Sequence, residues 1–295
     1  RRFTHALGAN IGPEHDIPAP DMGTNSQTMD WVMDTYANIT PPGARQSVKG
    51  VVTGKSLACG GSLGREEATG QGVLFALRHW CGENSVRLDG LKVTVQGFGN
   101  VGSHFAELAA DAGCYIVAVA DHTGTVRADG GLDIHKLRSW VADTGGVGGY
   151  PAADEITTEE LFSEEADVFV PAALENQLTA MRARSLKVRL VIEAANGPTT
   201  PHAEAVLADR GIEVIPDILA NSGGVVVSYF EWLQNKTSMA WSLTDVDERL
   251  QSIVWTAHEE VVATAAQHRC SRRDAAYIVA LNRLTDAYNR RGIFP

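Results

Sequence analysis

The sequence predicts an α/β protein: a doubly wound parallel sheet, joined to an incomplete second domain that C-terminal helices complete. Three observations point there. From residue 91 onward, short apolar runs alternate with helical stretches, the pattern of strands buried on both faces. A glycine-rich hexapeptide directly follows the first apolar run. Residues 1–60, and those after Asn221, lack the alternation.

Residues 1–60 are rich in glycine and proline and read as loops around one short helix near Thr28–Tyr36. Gly64–Cys81 is helix-like, with Val73, Leu74, Leu77 and Trp80 at helical spacing and Gly82 placed to end it. Gly70 and Gly72 weaken that helix and imply close approach to another element. Leu91–Gln96 is a strand, Val101–Ala112 a helix closed by Gly113, and Tyr115–Ala120 a second, almost wholly apolar strand. Further strands at Asp167–Val170, Leu190–Ala194 and Glu213–Pro216 bring the expected parallel set to five. Pro201–Arg210 is a helix with Thr200 as cap, Pro201 at its first position and Gly211 beyond its end. Gly145–Pro151, with four glycines in seven residues, reads as a surface loop. The chain then turns helical at Gly223–Asn235, Asp245–His268 and Arg272–Arg290.

The 295 residues suffice for about two domains. Composition, at 44% hydrophobic and 21% charged, excludes a disordered, collagen-like or coiled-coil chain. No apolar run approaches the roughly 18 residues of a membrane span. Lys plus Arg is 25 against 36 Asp plus Glu, and the net −11 is spread along the chain. That distribution disfavours nucleic-acid or membrane partners. Cys59, Cys81, Cys114 and Cys270 show no metal-ligand spacing, so neither a metal site nor a disulfide framework is expected, and the setting is a reducing, cytoplasmic one. The chain starts at Arg1 without a signal-peptide pattern, as a processed, trimmed or partial sequence would.

The sharpest local signal is Gly97-Phe98-Gly99-Asn100-Val101-Gly102. It lies between a strand and a helix, and Asp121 ends the next strand 24 residues after Gly97, the context of a Rossmann-type dinucleotide site. Gly97 permits the tight turn, Gly99 lets the backbone approach a pyrophosphate, and Gly102 lets helix and strand pack closely. The helix N-terminus offers N–H groups to the phosphates, and Asp121 can accept from a ribose diol. The alternatives are a ligand-free βα turn or another nucleoside cofactor such as S-adenosylmethionine. Asp121 favours NAD over NADP, with His122 and Arg127 as compensating cations for a 2′-phosphate.

Other segments are ambiguous alone. Asp21, in a stretch stiffened by Pro18 and Pro20, reads first as a turn residue. Arg65 and Thr69 share a helical face, which could be a solvated helix start. Asn196 leaves the end of a buried strand, where such sheets place ligands, or simply makes a turn. Asn221-Ser222-Gly223-Gly224 could be a plain connection.

Together, however, PAPDMGT at 18–24, VTGK at 52–55, GGSLGREEATGQGV at 60–73, GFGNVG at 97–102, EAANGPTT at 193–200 and NSGGVVVSYFEW at 221–232 resemble the glutamate dehydrogenase family of amino-acid dehydrogenases. The resemblance runs from about Arg2 to Pro295, and PAPDMGT and VVVSYFEW look more like the glutamate branch than the leucine or phenylalanine one. It implies that residues 1–60 are the C-terminal part of a substrate and oligomerisation domain, 61–222 the dinucleotide domain, and 223–295 helices returning to the substrate domain. It further implies reversible NAD(P)-dependent deamination of L-glutamate to 2-oxoglutarate and ammonium, through an imine that water attacks, in a homo-oligomer that is typically a hexamer.

Residue by residue, the resemblance matches Asp21 to the catalytic aspartate that exchanges protons with the substrate amino group. Thr69 and Asn100 match cofactor contacts, Ala172 and Ala173 sit where the backbone touches the cofactor, and Asn196 and Asn221 match positions beside the nicotinamide. Arg65 and Ser228 match substrate contacts, with Val225 lining the side-chain pocket. One departure stands out: the family's reactive and substrate-binding lysines lie upstream of PAPDMGT, and Lys49 and Lys55 come after it. An N-terminally incomplete chain accounts for this. Two competing readings remain: a cofactor-binding fragment or pseudo-subunit inactive alone, and a dehydrogenase for branched or aromatic amino acids.

Overall fold

The computed structural model describes residues 1–21 and 23–292; Met22 of the PAPDMGT segment and the last three residues of the resemblance lie outside them. The chain divides into two compact units, Arg1–Ala68 with Gly223–Gln251, and Thr69–Ser222 with Ser252–Pro295. The segment expected as one return, 223–295, is thus shared between the units, and the helix starting at Leu243 contributes residues to both.

Along the chain, the first unit opens with α1 (Arg2–Leu7) and α2 (Ser26–Ile39). Asn25 and Thr28 form a capping box at the start of α2, satisfying N–H groups that the first turn leaves open. The 3₁₀ segments Pro42–Val51 and Leu57–Cys59 follow. Val51 and Val52 are fully buried and pack with Ile11, Met29 and Val32 into a small core.

The second unit is a seven-stranded sheet with helices on both faces. Its elements in sequence are α3 (Ala68–Glu83), β1 (Lys92–Gln96), α4 (Asn100–Asp111), β2 (Tyr115–Ala120), β3 (Thr125–Arg127), α5 (Ile134–Thr144) and β4 (Asp154–Ile156). There follow α6 (Thr158–Leu161), β5 (Val168–Pro171), α7 (Ala180–Ser185), β6 (Leu190–Ile192), α8 (Pro201–Asp209), β7 (Glu213–Ile215) and α9 (Asp217–Ala220). The strand order is β4-β3-β2-β1-β5-β6-β7. β2, β1, β5, β6 and β7 are the five expected parallel strands, while β3 and β4 add an antiparallel edge. The chain reverses its direction of winding between β1 and β5, so the crevice beyond their carboxyl ends is the switch point where such sheets bind ligands.

The two faces follow from side-chain alternation, with a one-residue irregularity after Ile116 that shifts the phase of β2. Val93, Val95, Ile116 and Val119 join one core with Leu74, Leu77 and Phe105 of α3 and α4. Ala118, Ala120, Phe169 and Val191 join another with Leu161, Leu178, Ala203 and Leu207. Each fully buried leucine or phenylalanine contributes roughly 1.5–3 kcal/mol.

One local expectation changes and two gain a physical reason. α3 runs through Gly82, and the left-handed reversal falls at Ser85 (φ 53°). Gly70 explains the close approach: a Cβ there would stand 2.7 Å from the Phe105 amide nitrogen of α4. The 145–151 loop is anchored, with Val147 fully buried and Gly148 N–H donating to Thr123 Oγ1 at 2.9 Å. Thr200 does cap α8, accepting from Ala203 N–H.

The chain ends in α10 (Gly223–Thr237), α11 (Leu243–His268) and α12 (Arg272–Arg291). Among the described residues, no helix is long and apolar enough to cross a membrane.

Candidate functional site

In the sheet unit, the turn from β1 into α4 carries Gly97–Gly102. Gly97 has φ +99°, open to glycine at little cost, and a Cβ there would stand 2.7 Å from the Ala172 carbonyl and the Ala173 nitrogen. A Cβ at Gly102 would lie 1.9 Å from the Gly97 carbonyl oxygen. Around Gly99 the same test meets nothing within 4 Å. Protein therefore closes on the first and third glycines, and the second faces open space, the place where a pyrophosphate would approach. Gly99 is also the N-cap of α4 and supplies no side-chain cap, and the first turn of a helix points its backbone N–H groups toward an anion. These residues fit a dinucleotide. Phe98 is buried beneath the turn, while Asn100 and Val101 form the first residues of the helix.

The neighbouring candidates lie around the same end of the sheet. Ala172 N–H donates to the Gln96 carbonyl at 2.7 Å, which holds the Ala172–Ala173 backbone against Gly97. Thr69 precedes Gly70, the residue that touches α4. Asn221 Nδ2 donates to Asn196 Oδ1 at 2.7 Å, leaving the Asn196 NH2 and the Asn221 carbonyl as the ends to present to a ligand.

Asp121 follows β2 directly and is already engaged. Its Oδ1 accepts from Thr123 N–H (2.7 Å) and Thr123 Oγ1 (2.6 Å), and its Oδ2 from Val147 N–H (2.9 Å). Three donors on a carboxylate with about four acceptor positions leave capacity for one more. Arg127 is paired, its Nε 3.1 Å from Glu164 Oε2 and its Nη2 on Asp129. Its bond to Glu164 holds the guanidinium above its ordinary pKa. A paired Arg127 is poorly placed to serve a 2′-phosphate.

The other unit holds Asp21, Arg65, Val225 and Ser228. Asp21 lies on an extended stretch held by two contacts: Thr53 N–H donates to the Pro18 carbonyl at 3.0 Å, and Pro20 packs on Gly54, where a Cβ would stand 2.5 Å from the proline ring. Thr24 Oγ1 donates to the Asp21 carbonyl at 2.6 Å and receives the Asp21 N–H at 2.7 Å, closing a tight turn. Arg65 Nε donates to Ser228 Oγ at 2.8 Å. Among the described residues the Arg65 guanidinium has no carboxylate partner. Burial lowers its pKa, and Glu231 pulls it partly back. Val225, one turn before Ser228 on α10, is exposed in its unit.

Two buried ion pairs went unread in the sequence. Lys55 Nζ donates to Glu231 Oε1 at 2.5 Å and to the Val52 carbonyl at 2.6 Å, with both charged side chains fully buried. Glu231 also receives Gly54 N–H at 2.9 Å and Lys55 N–H at 3.3 Å. Burial lowers the Lys55 pKa and Glu231 opposes that fall. In the sheet unit, Glu193 is gripped by Arg273 through two bonds of 2.7 and 2.8 Å. Arg273 also reaches Glu204 and Asp217. The only hint in the sequence was an isolated charge in an otherwise apolar run, such as Glu193 after Leu190–Ile192.

A family model described as Glutamate/Leucine/Phenylalanine/Valine dehydrogenase matches residues 60–292. A second, described as the dimerisation domain of the Glu/Leu/Phe/Val dehydrogenases, matches residues 1–38. The chain belongs to the Glu/Leu/Phe/Val dehydrogenase family. It is 41% identical over 292 residues to the catabolic NAD-specific glutamate dehydrogenase of Bacillus subtilis, covering 99% of this chain and 68% of that one. It is 42% identical to the NADP-specific glutamate dehydrogenase A1 of Halobacterium salinarum, covering 100% of this chain and 70% of that one. Its fold matches the hetero-hexameric glutamate dehydrogenase of Thermus thermophilus, crystallised with leucine, at a TM-score of 0.93 and 39% identity, over 100% of this chain and 69% of that one. The family is one of nicotinamide-dependent enzymes, and its relatives include both NAD- and NADP-specific members. Among the described residues no group of three or more metal-ligating side chains is placed to hold an ion.

Proposed function

We propose that this chain is a glutamate dehydrogenase subunit, acting on L-glutamate, 2-oxoglutarate and ammonium. The observation that carries the reading is the Arg65 guanidinium, half-buried, bonded to Ser228 and lacking a carboxylate partner among the described residues. A cation so placed is ready for a substrate carboxylate, since charge-assisted bonds to guanidinium are among the strongest available. An apolar amino-acid side chain would leave such polar groups unpaired, which a site rejects strongly.

In this reading Gly97, Phe98, Gly99, Asn100, Val101 and Gly102 cradle the pyrophosphate, with Ala172 and Ala173 closing behind it and Thr69 beside it. Asp121 accepts from the adenosine ribose with its remaining lone pair. The pairing of Arg127 with Glu164 and Asp129 supports NAD over NADP. When bound, the nicotinamide supplies the hydride chemistry. Asn196 and Asn221 present their amide ends to the reacting region. Arg65 and Ser228 hold a carboxylate, and Val225 lines the side-chain pocket. Asp21 carries a proton to and from the substrate nitrogen as general acid and base. Holding the reactants in one geometry removes most of the entropic part of the barrier.

The relatives' names support an oligomer, homo-hexameric in our reading. Four free thiols support a reducing, cytoplasmic setting, with burial pushing Cys81 up to about 11 and Cys114 up to about 12. The test is a spectrophotometric assay of the full-length protein that carries this chain, with NADH, ammonium and either 2-oxoglutarate or the keto acids of leucine and phenylalanine. NADH oxidation that requires 2-oxoglutarate is the expected result. NAD binding without turnover would instead make the chain a cofactor-binding module.

A further inference from the structure

The buried Lys55–Glu231 pair is outside the roles given above, yet Glu231 lies one helical turn from Ser228, the partner of Arg65. Ser228 and Glu231 are one turn apart on α10, three residues being the spacing that puts side chains on one face. Ser228 Oγ holds Arg65 Nε at 2.8 Å, so the Glu231 carboxylate and the Arg65 guanidinium flank the same turn of helix. An unpaired carboxylate there would be a ready counter-ion for Arg65 and would compete with any incoming substrate. Lys55 prevents this. Its Nζ holds Glu231 Oε1 at 2.5 Å, and the Gly54 and Lys55 N–H groups hold the two oxygens from the other side. Glu231 is close enough to Arg65 to act on its charge, opposing in part the fall in pKa that burial causes.

We propose that Lys55 is a positioning residue for dicarboxylate recognition: by engaging Glu231 it keeps that carboxylate from Arg65 and leaves the Arg65 charge for the substrate. The proposal rests on the glutamate dehydrogenase reading. It differs from a plain structural role in the sign of its consequences. Removing the cation should weaken anion binding, removing the buried anion should strengthen it, and removing both should nearly cancel.

The experiment is calorimetric titration of the full chain with 2-oxoglutarate, with NAD titrated into each variant as a control on the sheet unit. Lys55→Met should weaken 2-oxoglutarate by about tenfold, because the Glu231 carboxylate, one helical turn from Ser228, loses its counter-ion in a medium of intermediate dielectric and is left to Arg65. Glu231→Gln should tighten it by about two- to threefold, and the double variant should lie within about threefold of wild type. NAD affinity should stay constant throughout. If Lys55→Met does not fold, Glu231→Gln decides alone, since tighter binding supports the role and weaker binding overturns it. Equal weakening in both single variants also overturns it, as that is the pattern of a purely structural pair. A wild-type chain that binds NAD but not 2-oxoglutarate overturns the function reading itself, a result separate from any ranking among the variants.

Discussion

Arg65 and Arg273 are both partly buried guanidinium groups, one in each unit, and their surroundings answer them in opposite ways. Arg273 is saturated: Glu193 takes it by two bonds, and Glu204 and Asp217 occupy its remaining edges. Burial alone would lower its pKa, but Glu193 and Glu204 outweigh that and hold it above the ordinary arginine range. Arg65 has a hydroxyl and no carboxylate among the described residues, and its pKa is lowered instead. A guanidinium with its counter-ions built in is part of the framework. One held in place without them is prepared for a ligand, because the cost of its desolvation is met only when an anion arrives.

The comparison can be broken by substitution, and the largest effect is expected on the saturated side. Arg273→Ala leaves Glu193, which is fully buried, without its partner, and should cost about 3–5 kcal/mol of stability. Urea unfolding at neutral pH measures this. A loss below about 1 kcal/mol would mean that water replaces the guanidinium and that the network is not a framework.

Next in size is Arg65→Gln. It should weaken 2-oxoglutarate by about 100-fold, equivalent to about 2.7 kcal/mol, while moving the unfolding midpoint little. A variant that binds the keto acid normally but unfolds early would place Arg65 beside Arg273 as a structural cation.

The third prediction sharpens the comparison with a buried group that has neither counter-ion nor ligand. His258 is fully buried against His79, their ring centroids 5.1 Å apart, and neither of its ring nitrogens has a hydrogen-bond partner among the described residues. Burial pushes its pKa down to about 3, with His79 and Arg272 adding to the fall and the unfolded value near 6.5. Between those values the unfolded chain binds a proton that the folded chain refuses. Stability is therefore unaffected above pH 6.5 and is lost progressively as pH falls toward 3. At pH 5 the loss is about 2 kcal/mol. Denaturation of wild type and His258→Phe at pH 7 and pH 5 checks it: the variant should show a smaller acid loss, and parallel curves would sink the assignment.

Much of the sheet unit was legible because its signals are local. Tyr115–Ala120 shows its burial in composition, Thr200 and Pro201 mark a helix start, and the three glycines of the turn each answer a steric need within a few residues. β3 and β4 were not legible, being three residues each, too short for a period to register. The 145–151 segment read as a surface loop from its four glycines, with nothing local to show what anchors it. Only its contact with Thr123 and Asp121 shows that they are small to permit packing. Asp21, Arg65 and Ser228 were reached through resemblance to a family, since alone each had an ordinary structural explanation.

The sequence by itself determined the class of fold, the place of the glycine turn and the set of candidate residues, because each depends on interactions a few positions apart. The tertiary structure decided which charges serve the framework and which stay ready for a ligand. Lys55 meets Glu231 across 176 positions and Arg273 meets Glu193 across 80. The state of a guanidinium depends on what lies within about 4 Å of it in space, and a linear pattern holds no record of that distance.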